Sequence, residues 1–186
     1  MLISDSKKFV FFHIQKTGGS SLSLSLQNYC NIKQYTNFEE LKYNDGKVKG
    51  WQQTLHQNLI QHHPVSMFDY PTNYFSFAFI RNPYTRFASY YNAMKEQFPS
   101  LLELAIRDPL PTQSSYLDKN ISHIARYENW DKEIEHIESI LNIKIDKQLQ
   151  ANISKHPYNW KDYYTQDAKV AVYKLYKEDF RRFYND

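Results

Sequence analysis

Two apolar runs constrain this chain more than any other feature: Phe9-Val-Phe-Phe-His-Ile14 and Tyr74-Phe-Ser-Phe-Ala-Phe-Ile80. A short, continuous apolar run suits a strand covered on both faces. Each run stops at a loop that opens a helix. After the first comes Gln15-Lys-Thr-Gly-Gly-Ser20, then a segment whose Leu22, Leu26 and Tyr29 share one helical face. After the second comes Arg81-Asn82-Pro83, with Asn82 as N-cap and Pro83 at the first position of a helix running to about Lys95. His123–Tyr127 reads as another short strand. Helices are expected over 51–62, over 100–107, after a cap at Asn129 (apolar face Trp130, Ile134, Ile137, Leu141), and over 165–184 with Val172, Leu175, Tyr176, Phe180 and Phe183. Residues 31–50 read as an irregular excursion with an Asp45-Gly46 turn. Strands alternating with helices predict an α/β fold built on a central parallel sheet flanked by helices. A chain of 186 residues has room for a single domain, 1–186.

Composition narrows the partners. A net charge of +3 fits a pocket for a small polyanion and is too weak for a nucleic-acid surface. The single cysteine, Cys30, excludes a disulfide framework and a Cys-rich zinc site, and reads as a buried, inert thiol. No apolar run approaches the roughly 18 residues of a membrane span. Phe9–Ile14 is too short for a secretory leader and has no small-residue cleavage site after it, so a cytoplasmic location is expected.

The chemistry collects at the two strand–helix junctions. Two of the chain's four glycines, Gly18 and Gly19, sit between the first strand and its helix. Glycines let backbone N–H groups turn toward an anion, and the helix N-terminus adds its dipole. Lys16 supplies a full positive charge, and Thr17, Ser20 and Ser21 supply hydroxyls. The set suits a phosphate or a sulfonate; a plain strand–turn–helix corner with an exposed lysine would use the same residue types. The Walker pattern Gly-x4-Gly-Lys-Ser/Thr is absent, and so is Gly-x-Gly-x-x-Gly. At the second junction Arg81 stands at the strand's carboxyl end, where ligands gather in open α/β sheets. Ser89 lies about two turns into the next helix, three residues from Arg86 and on the same face. Arg81 and Ser89 can pinch one phosphate between them.

Phe9–Leu22 (FVFFHIQKTGGSSL) and Phe77–Tyr91 (FAFIRNPYTRFASYY) resemble the two signatures of the sulfotransferases that use 3′-phosphoadenosine 5′-phosphosulfate (PAPS). The similarity continues through Gln113–Leu117, Ile124–Asn129 and the Tyr163–Tyr184 ending. It is closest to the carbohydrate O-sulfotransferase branch, the heparan 2-O and chondroitin types and their bacterial relatives. The resemblance implies a three-layer, P-loop-NTPase-like fold. It implies that Lys16, Thr17, Gly18, Gly19, Ser20 and Ser21 hold the 5′-phosphosulfate and that Arg81 and Ser89 hold the 3′-phosphate. The products would be adenosine 3′,5′-bisphosphate and a sulfated hydroxyl, with a glycan as the expected acceptor. No metal is required, because a sulfonate carries less charge than a phosphoryl group. Gln15 departs from the family, which usually has proline there.

Sulfuryl transfer needs a cation at the bridging oxygen, which Lys16 fits, and a base for the acceptor hydroxyl. Seven histidines compete: His13, His56, His62, His63, His123, His136 and His156. His13 reads as buried and structural, and His136 as solvated. The family resemblance favours His56, with His62 and His63 next. Arg126 is a candidate for cofactor or acidic acceptor, or for a structural ion pair. Trp51 and Trp160 lie in polar stretches and are candidates to stack on a sugar; Trp130 reads as core. Two other classes fit less well. A small-molecule kinase lacks its Walker lysine order here, and a non-catalytic nucleotide-binding module sits poorly with an intact Lys16, Arg81 and Ser89.

Overall fold

The computed structural model describes residues 1–30, 42–44, 47–49, 70–117, 120–147 and 159–185. The strands are β1 (Leu2–Ser4), β2 (Phe9–Phe12), β3 (Lys42–Asn44), β4 (Lys47–Lys49), β5 (Phe75–Ile80) and β6 (His123–Arg126). The helices are α1 (Gly19–Leu26), α2 (Pro83–Met94), α3 (Leu101–Arg107), α4 (Gln113–Tyr116), α5 (Trp130–Leu141), α6 (Gln166–Leu175) and α7 (Lys177–Phe183). The chain falls into two compact units, Met1–Ile80 with Tyr116–Asn152 and Arg81–Ser115 with Ile153–Asp186.

The first unit holds a four-stranded sheet in the order β1-β2-β5-β6. β2, β5 and β6 are parallel, as the alternation of elements predicts. β1 is not: it pairs antiparallel with β2, which corrects the wholly parallel sheet to a mixed one. The reason is the link. Four residues, Asp5–Lys8, join the two strands, and a connection that short can only make a hairpin. Phe9, Phe11, Phe77, Phe79 and Ala125 pack with Leu22 and Leu26 of α1 and Ile134, Ile137 and Leu141 of α5. The alternate residues Val10, Phe12, Ala78 and Ile80 are buried too, as is the one polar residue of β5, Ser76, so neither run alternates buried with exposed residues. β3 and β4 form an antiparallel pair across the Asp45-Gly46 position, where an irregular excursion is expected from the sequence. The helix expected over 51–62 lies outside the described residues.

The second unit is helical. Its core is Phe87, Ala88, Leu101, Leu104, Val172, Tyr176 and Phe180. Asn82 caps α2 as predicted, its Oδ1 accepting the Tyr84 N–H at 3.0 Å with Pro83 behind it. Asn129 stands at the N-cap of α5 but makes no side-chain cap bond. The single helix expected over 165–184 is two, broken at Tyr176, whose ψ of 22° leaves the helical region. Leu175, the last residue of α6, is 38% exposed and is not on the buried face predicted for it. Cys30 is half-buried, its Sγ donating to the Leu26 carbonyl at 3.3 Å.

Candidate functional site

Parallel neighbours end on the same side. The chain leaving β2 (the Gln15–Ser20 loop), the last residue of β5 (Ile80, after which comes Arg81) and the end of β6 (Arg126) therefore all sit at one edge of the first unit's sheet. Ile80 and Arg126 are register partners. The carboxyl edge of an open α/β sheet is where ligands bind.

The first loop is a turn, Gln15–Gly18, that runs directly into α1. Its backbone alternates in hand. Lys16 has φ 65° and Gly18 φ 83°, while Thr17 between them does not share the positive value. Alternation of this kind turns successive N–H groups to one side and makes an anion-binding concavity. A left-handed lysine is uncommon, since the Cβ meets the carbonyl at a cost of about 1–2 kcal/mol. Thr17 is buried, and its hydroxyl donates to the Ile14 carbonyl at 2.9 Å, tying the loop back to the strand. Lys16, Ser20 and Ser21 are half-exposed, and so reachable by a ligand.

Both glycines are required by their neighbours. A Cβ on Gly18 would lie 2.9 Å from the rings of Trp130 and Tyr127. A Cβ on Gly19 would run into the imidazole of His13. His13 is buried and stacks on Phe11 at 6.1 Å, which agrees with a structural role. Trp130 packs on Phe79 at 4.8 Å, as its core assignment predicts.

At the end of β6, Glu133 of α5 faces back toward the strand. Its Oε1 accepts the Arg126 N–H at 3.1 Å and its Oε2 meets His123 Nε2 at 2.8 Å. His123 is therefore tied to a carboxylate and stacked on Phe75. His136 is exposed.

In the second unit Arg81 is held from two directions. Its Nε donates to Thr85 Oγ1 at 3.1 Å, one helical turn on. Its own peptide is bridged by the Gln113 carboxamide: Arg81 N–H donates to Oε1 at 2.8 Å and Nε2 donates to the Arg81 carbonyl at 2.8 Å. Ser89 is half-buried on α2. Arg86, its neighbour by spacing, lies in a different environment: it is 1% exposed and donates to the Pro111 carbonyl at 2.9 Å. Trp160 stacks on Tyr84 at 6.5 Å and meets Tyr164 edge-on at 5.9 Å, so part of its face is already covered. His56, His62, His63, His156 and Trp51 lie outside the described residues.

Thr85, Gln113 and Asp179 hold roles that the sequence does not assign, although Gln113 and Asp179 lie in stretches that resemble the family. Thr85 was findable, four residues after Arg81 on a helix. The role of Asp179 was not, because nothing in Lys177-Glu-Asp-Phe-Arg-Arg182 says which of its charged side chains the fold buries. Among the described residues no group of three His, Cys, Asp or Glu could hold a metal ion, and no helix is long and apolar enough to cross a membrane.

Residues 1–130 match the profile of the sulfotransferase family. No curated protein and no solved structure matches the chain.

Proposed function

This chain belongs to the sulfotransferase family, and we propose that it transfers a sulfuryl group from PAPS to a hydroxyl acceptor, with a carbohydrate as the acceptor class. The observation that carries the reading is the Gln15–Gly18 loop. Its left-handed Lys16 and Gly18 precede a helix N-terminus at the carboxyl edge of the sheet. That donor set of N–H groups, hydroxyls and one ammonium suits a tetrahedral polyanion. The reading takes residues 1–186 as one catalytic domain with a P-loop-NTPase-like core, acting in the cytoplasm.

Bound PAPS supplies the sulfuryl group and a phosphate leaving group. Lys16 stabilises the charge that grows on the bridging oxygen. Gly18, Gly19, Ser20 and Ser21 offer N–H and O–H donors to the 5′ end, and Thr17 shapes the loop from within. Arg81 and Ser89 take the 3′-phosphate, and Arg126, Trp51 and Trp160 are the residues assigned to the acceptor. His56 accepts the acceptor's proton. The test is to incubate the protein with sulfur-labelled PAPS and a panel of glycans and simple alcohols. Labelled ester and adenosine 3′,5′-bisphosphate should form together. Phosphorylated product from ATP and Mg²⁺, with none from PAPS, would replace this reading with a kinase.

A further inference from the structure

Arg81 is set in place by a relay that ends on a buried carboxylate. The Gln113 side chain is fully buried and bridges both polar groups of the Arg81 peptide, at 2.8 Å each. A carboxamide used this way satisfies one donor and one acceptor just where the sheet's own ladder stops, and it fixes the backbone from which the guanidinium projects. Gln113 is in turn the first residue of α4, whose N-terminal N–H groups have no partner within the helix. Asp179 of α7 takes two of them: Gln113 N–H donates to Oδ2 and Ser114 N–H to Oδ1, each at 2.7 Å. Asp179 is 0% exposed, so both bonds are short, charge-assisted and shielded from water.

The segment leading to Gln113 is held just as completely. Tyr176 donates to the Leu110 carbonyl at 2.9 Å, Arg86 to the Pro111 carbonyl at 2.9 Å and Arg182 to the Ser114 carbonyl at 3.2 Å. Three of these holding groups, Tyr176, Asp179 and Arg182, come from the end of the chain, beyond the residues that match the family profile.

We infer that Gln113 is a positioning residue for 3′-phosphate recognition, acting through the Arg81 peptide, and that Asp179 acts through Gln113. The inference rests on the assignment of Arg81 to the 3′-phosphate. Gln113→Met keeps the side chain's length and removes both bridges. It should raise the Kd for adenosine 3′,5′-bisphosphate by roughly tenfold or more, which is about 1.4 kcal/mol per decade, and leave the Kd for AMP unchanged. Asp179→Asn should shift the same ratio in the same direction. A purely structural role would lower the melting temperature and weaken both nucleotides equally; that result overturns the inference. Hydrogen exchange on the wild type gives a second reading that needs no variant. The Arg81 amide should be protected before any nucleotide is added, and an amide that becomes protected only on binding would also overturn it. A wild type that binds bisphosphate no better than AMP would overturn the Arg81 assignment itself and the inference with it, an outcome distinct from the variant results.

Discussion

Lys16 occupies a conformation that favours glycine, with φ 65°. A residue strained in this way at a functional loop makes a separable prediction. Lys16→Gly relieves the left-handed strain, about 1–2 kcal/mol, and adds roughly 0.5–1 kcal/mol of chain entropy to the unfolded state. The two nearly offset, so the melting temperature should stay within a few degrees while turnover collapses. In Lys16→Ala kcat should fall further than the donor's KM rises, because the bridging charge develops fully only as the bond breaks. A normal kcat with a raised KM would remove Lys16 from the chemistry. Gly18→Ala should behave oppositely. It adds a methyl 2.9 Å from Trp130 and Tyr127 in a left-handed position, and thermal denaturation should show a loss of about 1–3 kcal/mol. The residue types of this loop were legible in the sequence. Its alternating hand was not, since nothing in Gln-Lys-Thr-Gly-Gly says that the lysine rather than its neighbour takes the positive φ. His56 rests on family resemblance, and His56→Ala should keep bisphosphate binding while lowering sulfated product roughly 10²–10⁴-fold. Full activity, with loss in the His62 or His63 variant, would move the base to that neighbour.

Elements marked by an apolar run, a cap or a helical period were read from the sequence, the four-residue β2 and β6 among them, and β1 and α4 were not. β2, β5, α2 and α5 follow from apolar runs or from caps. β1 has three residues and α4 has four, too few to show any period. The break between α6 and α7 was hidden for a different reason. Tyr176 keeps the helical spacing of the apolar face, yet its hydroxyl reaches the Leu110 carbonyl, and that tertiary bond outweighs the local preference to continue. The same helical unit predicts an alkaline weakness. Burial, first among the causes, pushes the phenols of Tyr90, Tyr164 and Tyr176 well above their ordinary value. The folded state therefore favours the neutral phenol. That stabilisation is complete below the unfolded value of about 10 and is lost as pH rises above it, because the unfolded chain ionises first. Urea midpoints should be level between pH 8 and 9 and should fall by pH 11. Tyr176→Phe should flatten that fall, and an unchanged slope would contradict the assignment.

At the scale of the whole chain, the resemblance of two contiguous segments, Phe9–Leu22 and Phe77–Tyr91, to known signatures reached the family that the profile over residues 1–130 shows; composition narrowed the ligand only to a small polyanion. The supports for those segments are scattered. Asp179 and Tyr176 act on residues 110–114 from far along the chain, and no local pattern announces them. Acceptor recognition is more dispersed still, since it depends on loops that vary freely on a fixed scaffold. Under the proposed function the two phosphate-bearing ends of one nucleotide are read at two strand ends, and calorimetric titration tests that most directly. The wild type and Arg81→Ala would each be titrated with adenosine 3′,5′-bisphosphate, AMP, and ATP with Mg²⁺. The wild type should prefer the bisphosphate, and Arg81→Ala should lose roughly 2–5 kcal/mol of that binding, the range for truncating a charge-assisted contact, with AMP little changed. A wild type that prefers ATP, or an Arg81→Ala protein that loses both adenosine nucleotides equally, would contradict the account.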